Sequence, residues 1–382
     1  MHNHGLIASP QALKDFLDAI GGTEWIALDT EFMREKTYYP RLGLVQLATL
    51  DRLACVDPQG LDIRELEPLL LDPNVTKVLH SATQDLEVLY RELGRVPAPL
   101  FDTQIAAGLL GYGDQIGYAN LVKAILDRDL DKSQTRTDWS QRPLSEQQIR
   151  YATDDVRFLA TLFMRLLRDL ETRQRMEWLR PEMEKLTDPS LYEPDPELAW
   201  QRVSGVNRLK PHQRGILKTI AAWRERQAQA QDRPRRWILG DDILLDIARR
   251  VPRERGELQR LRGFPGNMKG TLQEELLEAI RTGQAMPREE WPQLPEKAKL
   301  TEAEEVLVDV GMALLRECAR RNDITPSFVG QRRDIIDLLQ GNGSRGRLAS
   351  GWRNKVAGQT IARWFAGHGG LTCSERSLQI DS

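Results

Sequence analysis

Between Leu186 and Pro196 the chain reads Leu-Thr-Asp-Pro-Ser-Leu-Tyr-Glu-Pro-Asp-Pro, three prolines and several turn formers in eleven residues. Each proline fixes φ and removes an N–H donor, so neither a continuous helix nor a central strand runs through such a stretch. It divides the chain. Before it, short β-leaning apolar runs alternate with amphipathic helices; beyond it every periodic segment is helical. At 382 residues the chain also exceeds one ordinary core, since domains run to roughly 100–200 residues. We therefore expect an α/β domain over 1–190, a linker over 191–209, and two all-α domains over 210–290 and 291–382, the last including a tail. Charge divides near the same place. Residues 1–194 hold 22 Lys and Arg against 31 Asp and Glu, net −9, and residues 195–382 hold the other 32 against 25, net +7. An acidic front and a basic back suit a metal-binding catalytic unit joined to modules that hold a polyanion.

Ser9-Pro10 followed by Leu13, Phe16, Leu17 and Ile20 predicts a capped helix ending at Gly21-Gly22. Trp25–Leu28, Leu44–Thr49 and Leu53–Val56 read as strands. A helix over Asp62–Leu70, a strand at Thr76–Leu79 and a helix from Gln84 to Leu93, closed by Gly94, continue the alternation. From Phe101 the pattern is mostly helical. Ser145 with Gln148 has the form of a capping box and starts a helix running at least to Leu170. Beyond the proline break, helices are expected at Pro211–Gln229, Gly240–Arg250, Gly256–Arg262 and Leu272–Thr282, then a second set opened by the Thr301–Glu304 box. Trp237 to Ile247 and Ile324 to Leu338 both run from an apolar turn into a helix, which suggests a duplicated module of roughly 80 residues.

Three carboxylate motifs carry chemistry. Asp29-Thr-Glu31 follows an apolar strand, and side chains two apart on a strand share a face, so both carboxylates can meet a divalent metal. Asp85 falls in the first turn of a helix, where the helix dipole favours an acid even without a metal; Glu87 faces elsewhere. Tyr151 and Asp155 are four apart and share a helical face, while Asp154 is turned about 100° away. With an ordinary pKa of about 10, Tyr151 would position a water by hydrogen bonding and not act as a tyrosinate base.

In this order and spacing the five residues resemble the three exonuclease motifs of the DEDD superfamily, in its tyrosine branch. The resemblance extends to bacterial ribonuclease D through Phe32 after Asp-Thr-Glu, Leu44-Val-Gln-Leu-Ala, Phe101-Asp-Thr-Gln, Thr137-Asp-Trp-Ser140 and Arg142-Pro-Leu-Ser145 ahead of Tyr-Ala-Thr-Asp-Asp. That family carries two tandem helical HRDC domains after its catalytic domain. The resemblance implies an exonuclease domain with a ribonuclease H-like mixed sheet and flanking helices, followed by two helical HRDC-like domains. It further implies two divalent ions, Mg²⁺ or Mn²⁺, with Asp29 and Asp155 as central ligands, Glu31 and Asp85 completing the set, and Tyr151 orienting the attacking water. The implied reaction is hydrolysis of RNA from a free 3′ end to nucleoside 5′-monophosphates, with tRNA precursors and other small stable RNAs as substrates. A DNA 3′→5′ exonuclease using the same site and a non-catalytic RNA-binding protein are the alternatives, because metal chemistry does not choose the sugar.

RNA contacts are expected from Arg233, Arg235, Arg236 and Trp237 in one module and Arg345, Arg347, Arg353 and Lys355 in the other, though Trp237 can equally be core. His2-x-His4 sits at an expected mobile start, and His80, His212 and His368 are too dispersed to form a site. Cys55, Cys318 and Cys373 are scattered, which excludes a disulfide framework or thiolate zinc site and reads as reduced thiols. No apolar run approaches the ~18–20 residues of a membrane span, and Met-His-Asn-His-Gly lacks the form of a secretion signal, so a cytoplasmic address is expected; no coiled coil or long apolar stripe demands a partner, so a monomer is expected.

Overall fold

The computed structural model describes residues 2–130, 137–294, 299–341, 346–374 and 377–380. They form two compact units, one of residues 1–31, 44–187 and 297–382, the other of residues 32–43 and 188–296.

The first unit is built on strands β1 (His2–Ile7), β2 (Trp25–Met33), β3 (Arg41–Ala48), β4 (Arg52–Val56), β5 (Thr76–Leu79) and β6 (Leu100–Asp102), in sheet order β1-β4-β3-β2-β5-β6. Pairing is parallel for β1 with β4, β2 with β5 and β5 with β6, and antiparallel for β3 with β4, so the sheet is mixed. Its central strands are apolar on both faces: Ile26, Ala27, Leu28, Leu44, Val45 and Leu47 are fully buried. Each such aliphatic side chain contributes about 1.5–3 kcal/mol on leaving water, which is why these short runs are strands in spite of their polar ends.

Between the strands lie α1 (Pro10–Ala19), α2 (Glu67–Leu70) and α3 (Thr83–Leu93); α4 (Thr103–Leu109), α5 (Tyr118–Leu126), α6 (Glu146–Thr172) and α7 (Met176–Leu186) follow β6. α6 begins where expected: the Ser145 hydroxyl accepts from Gln148 N at 3.2 Å, and the Gln148 amide oxygen accepts from Ser145 N at 2.9 Å. It lies over one face of the sheet, with Phe163 packed 4.9 Å from both Trp25 on β2 and Phe101 on β6. Asp29 and Glu31 alternate with Trp25 at even intervals, so they project toward α6 as well. The sequence reading missed β1 and β6. The N-terminal residues, expected to be mobile, form an edge strand held by main-chain pairing to β4, and pairing of that kind leaves no apolar alternation to read. β6 is three residues long inside a stretch read as helical.

The second unit is helical. It contains α8 (Pro211–Ala230), α9 (Arg235–Ile238), α10 (Asp241–Arg250), α11 (Arg255–Gln259) and α12 (Gly270–Gln284). α8 and α12 approach so closely that a Cβ on Gly283 would stand 2.4 Å from the Thr219 hydroxyl and 2.5 Å from Ile216 Cα. Residues 191–209 are not the extended linker their prolines suggested: Pro196–Arg202 form a 3-10 turn, and Ala199, Trp200, Val203 and Leu209 join the core. The β2–β3 turn also belongs to this unit. Tyr38 is buried there, donating to Glu225, whose carboxylate accepts from Arg235 at 2.5 and 2.6 Å; Asp232 accepts from Tyr38 N and Tyr39 N at 3.0 and 3.1 Å.

Residues 299–380 return to the first unit as α13 (Glu302–Arg321), α14 (Pro326–Val329), α15 (Arg332–Leu339), α16 (Gly351–Arg353) and α17 (Gln359–Phe365). A hairpin of β7 (Leu371–Ser374) and β8 (Ser377–Ile380) follows, in a tail that carries no module signature. They are fixed to α4 and α7 by buried arginines. Arg175 donates to the carbonyls of Leu109 and Asp323 at 2.6 and 3.3 Å and to that of Asn322, while Arg353 meets Glu182 at 2.5 Å. Trp178 and Trp352 stack at 5.3 Å. Phe328 comes so near Gly108 that a Cβ there would lie 3.1 Å from its ring.

Candidate active site

The structure brings Asp29, Glu31 and Asp155 together, with one carboxylate oxygen of each within 4.8 Å of the others. β2 supplies the first two and the third turn of α6 the third. Asp85, in the first turn of α3, is buried and stands beside this group without joining it: its Oδ1 accepts from Thr30 Oγ1 at 2.6 Å and Thr30 N at 3.2 Å. Thr30 points away from its neighbours along the strand, which is why it can reach α3. Tyr151 hydrogen-bonds Asp155, as i, i+4 spacing allows.

Crowding sets the electrostatics. Burial, then the charges of Asp85, Asp155 and Glu31, hold the Asp29 carboxyl well above the usual range. Glu31 is pushed up to about 9 by burial and by Asp155 and Asp85. Asp155 rises to about 7, burial outweighing the Tyr151 hydrogen bond, and Asp85 to about 6, burial outweighing the Thr30 donors. The charges acting on Asp29 and Glu31 all come from carboxylates. Like charges this close in a half-buried site cannot all ionise without a cation. A set of three hard oxygen donors, with no positive charge among the described residues acting on Asp29 or Glu31, fits a divalent metal such as Mg²⁺ or Mn²⁺.

Several supporting residues escaped the sequence reading. Asp102 at the N-cap of α4 accepts from Ser81 N at 3.1 Å and Ala82 N at 2.8 Å, clamping the β5–α3 turn ahead of Asp85. Ser81 takes a left-handed φ of 59° there. Tyr118 donates to the Asp155 main-chain carbonyl, and its ring lies 5.3 Å from that of His80. His80 is bonded to Thr103 at 3.0 Å, and burial lowers its pKa, so it packs as a neutral ring. Arg142 donates to Asp57 at 2.6 and 2.7 Å and to the Trp139 carbonyl at 2.9 Å, placing Trp139 against Tyr151 at 6.2 Å. A signal for Asp102, Arg142 and Trp139 was present in the motifs around Phe101 and Thr137, but their partners are distant in sequence.

Of the expected RNA contacts, Arg235 and Arg353 are withdrawn. Arg235 is engaged by Glu225 and Tyr38, and Arg353 is buried against Glu182 and the Phe328 carbonyl. Trp237 is not core: it is 52% exposed, with the Arg233 guanidinium 5.8 Å from its ring centre. Arg236, Arg347 and Lys355 are exposed, and Arg345 lies outside the described residues.

Residues 6–171 match the family model of a 3′-5′ exonuclease domain, and residues 213–280 match that of the HRDC domain. The chain is 40% identical to ribonuclease D of Zymomonas mobilis, over 94% of this chain and 93% of that one. The chain belongs to the ribonuclease D family. It is accordingly an enzyme, a ribonuclease D-type exoribonuclease. Ribonuclease D of Sphingobium indicum is likewise 40% identical, over 94% of each chain. The crystal structure of Escherichia coli RNase D, described as an exoribonuclease involved in structured RNA processing, superposes with a TM-score of 0.83 at 30% identity, covering 96% of this chain and 99% of that one. Among the described residues, no helix is long and apolar enough to cross a membrane.

Proposed function

We propose that this ribonuclease D-type enzyme shortens RNA from a free 3′ end to nucleoside 5′-monophosphates, using two divalent cations held by Asp29, Glu31, Asp85 and Asp155. The observation that carries the reading is the half-buried trio of carboxylates, all raised in pKa by burial, Asp29 and Glu31 also by neighbouring carboxylates. Bound there, divalent cations would lower the pKa of the attacking water and offset charge at the leaving 3′ oxygen. The chain's own groups do the rest. Tyr151, neutral and bonded to Asp155, orients the water. Thr30 fixes one oxygen of Asp85 and leaves the other for an ion.

RNA is held by Trp237 with Arg233 and Arg236, and by Arg347 and Lys355, through base stacking and phosphate contacts that weaken with salt. Residues 299–365 serve as a second HRDC-like module: a 20-residue helix, a four-residue helix and an eight-residue helix (α13–α15) repeat the order of α8–α10, at 20, 4 and 10 residues. Precursors of tRNA and other structured RNAs are the substrates that family membership favours, and the enzyme acts as a monomer.

A time course with 5′-labelled single-stranded RNA beside matched DNA, each with Mg²⁺, Mn²⁺ or EDTA and repeated with Asp155→Asn, tests this. We expect a metal-dependent ladder shrinking from the 3′ end of RNA and lost in the variant. Degradation of DNA with RNA spared would overturn the substrate, and full activity in EDTA would overturn the cation site.

A further inference from the structure

β3 lies between β4 and β2 in the sheet, and on it Gln46 stands directly opposite Cys55 of β4. Residues opposed in an antiparallel pair share a face. Cys55 is on the carboxylate face: Asp57, two residues on, turns to Arg142, which seats Trp139 against Tyr151 of α6, and the charges of Asp29 and Glu31 act on its buried thiol. Gln46 therefore occupies the middle strand between Cys55 and the carboxylates, on their side of the sheet. It is fully buried, and neither its Nε2 nor its Oε1 has a hydrogen-bond partner among the described residues. Buried amides are ordinarily bonded, because desolvating both groups without return is costly. Among the described residues the charges acting on Asp29 and Glu31 are all negative, and the amide on their face lacks a donor and an acceptor. A hydrated divalent cation supplies the counter-charge, and its bound water donates to the amide oxygen.

We propose that Gln46 is a positioning residue of the carboxylate site, its amide bonding the hydration water of a cation held by Asp29, Glu31 and Asp155. This rests on the cation reading given above. Its signature is a change of opposite sign in stability and in metal affinity. An amide that bonds nothing in the cation-free protein weakens that state, so an apolar residue of equal length stabilises it, while removing an outer partner of a metal site weakens the metal.

The test uses the full chain and its Gln46→Met variant, with Gln46→Leu as a second replacement of different shape. Free Mn²⁺ measured by electron paramagnetic resonance should show binding about 10- to 100-fold weaker in both variants. In EDTA their thermal midpoints should rise by about 2–4 °C. Wild-type Mn²⁺ affinity in the variants would overturn the proposal. So would a lowered midpoint in EDTA or loss of folding in both, since the amide would then be holding the cation-free structure. Failure of the wild-type protein itself to bind Mn²⁺ would overturn the cation reading and this inference with it.

Discussion

Stripping divalent cations from the enzyme should make its stability fall as pH rises. In the unfolded chain the site carboxyls titrate near their ordinary 3.8 to 4.5, whereas in the folded, cation-free protein Asp85 moves to about 6, Asp155 to about 7, Glu31 to about 9, and Asp29 also lies far above its usual value. Because these folded values are raised, the folded state binds protons that the unfolded chain has already released. Their contribution is fully favourable below about pH 4 and is lost as pH climbs through each folded value. One pKa unit corresponds to about 1.4 kcal/mol, and water reaches this half-buried cluster, so screening leaves a loss of about 2–4 kcal/mol between pH 5 and 8. That is a fall in thermal midpoint of about 4–8 °C. Lys77 limits the useful window: burial lowers its amine to about 8, so above that pH it titrates in the stabilising direction. Circular dichroism melts in EDTA at pH 5, 6, 7 and 8, repeated with saturating Mg²⁺, provide the assay. Saturating cation keeps the carboxylates ionised in the folded state and should abolish the downward slope. A flat midpoint in EDTA, or a slope that survives the cation, would refute the crowding argument.

Tyr151→Phe removes the hydroxyl bonded to Asp155 and should lower kcat on a dinucleotide by about 10²-fold or more, with Mn²⁺ affinity changed less than about threefold; isothermal titration and initial rates separate the two. Arg142→Met leaves Asp57, 5% exposed, without its guanidinium. It should cost about 3–5 kcal/mol in denaturant melts at pH 7. In the wild type, burial raises the Asp57 pKa but the Arg142 hydrogen bonds outweigh it and hold the carboxyl low, so that stabilisation is lost only at strongly acid pH; in the variant the penalty should shrink toward pH 5, as the stranded carboxyl becomes free to protonate. Trp237→Ala should weaken single-stranded RNA binding by about 1–3 kcal/mol in a fluorescence titration and leave dinucleotide cleavage unchanged.

What the sequence disclosed was local or periodic. Asp29 and Glu31 are legible as a pair because a strand repeats every two residues, Tyr151 and Asp155 because a helix places i and i+4 on one face, and Ser145 because its capping partner is three residues on. Contacts that cross the chain were not legible. Thr30 and Asp85 are 55 residues apart and Arg142 and Asp57 are 85 apart, and nothing near either member indicates the other. Arginine misled most. Arg353 and Arg235 lie in basic stretches that read as RNA contacts, yet Arg235 neutralises the buried Glu225 and Arg353 the half-buried Glu182. Proline misled in the opposite sense, since Pro196 opens a tight turn and hides the fact that Ala199 and Trp200 within it are core.

The residues that hold the site share one property, and it bears on what the site is for. Thr30 binds Asp85 through a hydroxyl and a main-chain N–H, and Tyr151 binds Asp155 through a hydroxyl. Asp102, which fixes the turn before Asp85, is itself held by main-chain N–H groups. Every one of these donors is neutral. A lysine or arginine in any of these places would orient a carboxylate equally well, but it would also cancel the charge and lower the pKa, removing the reason for a divalent cation to bind. Neutral donors fix the geometry and leave the charge unspent. By that logic, introducing a cation, as in Thr30→Lys, should lower Mn²⁺ affinity even where the melt shows the variant more stable without metal than the wild type.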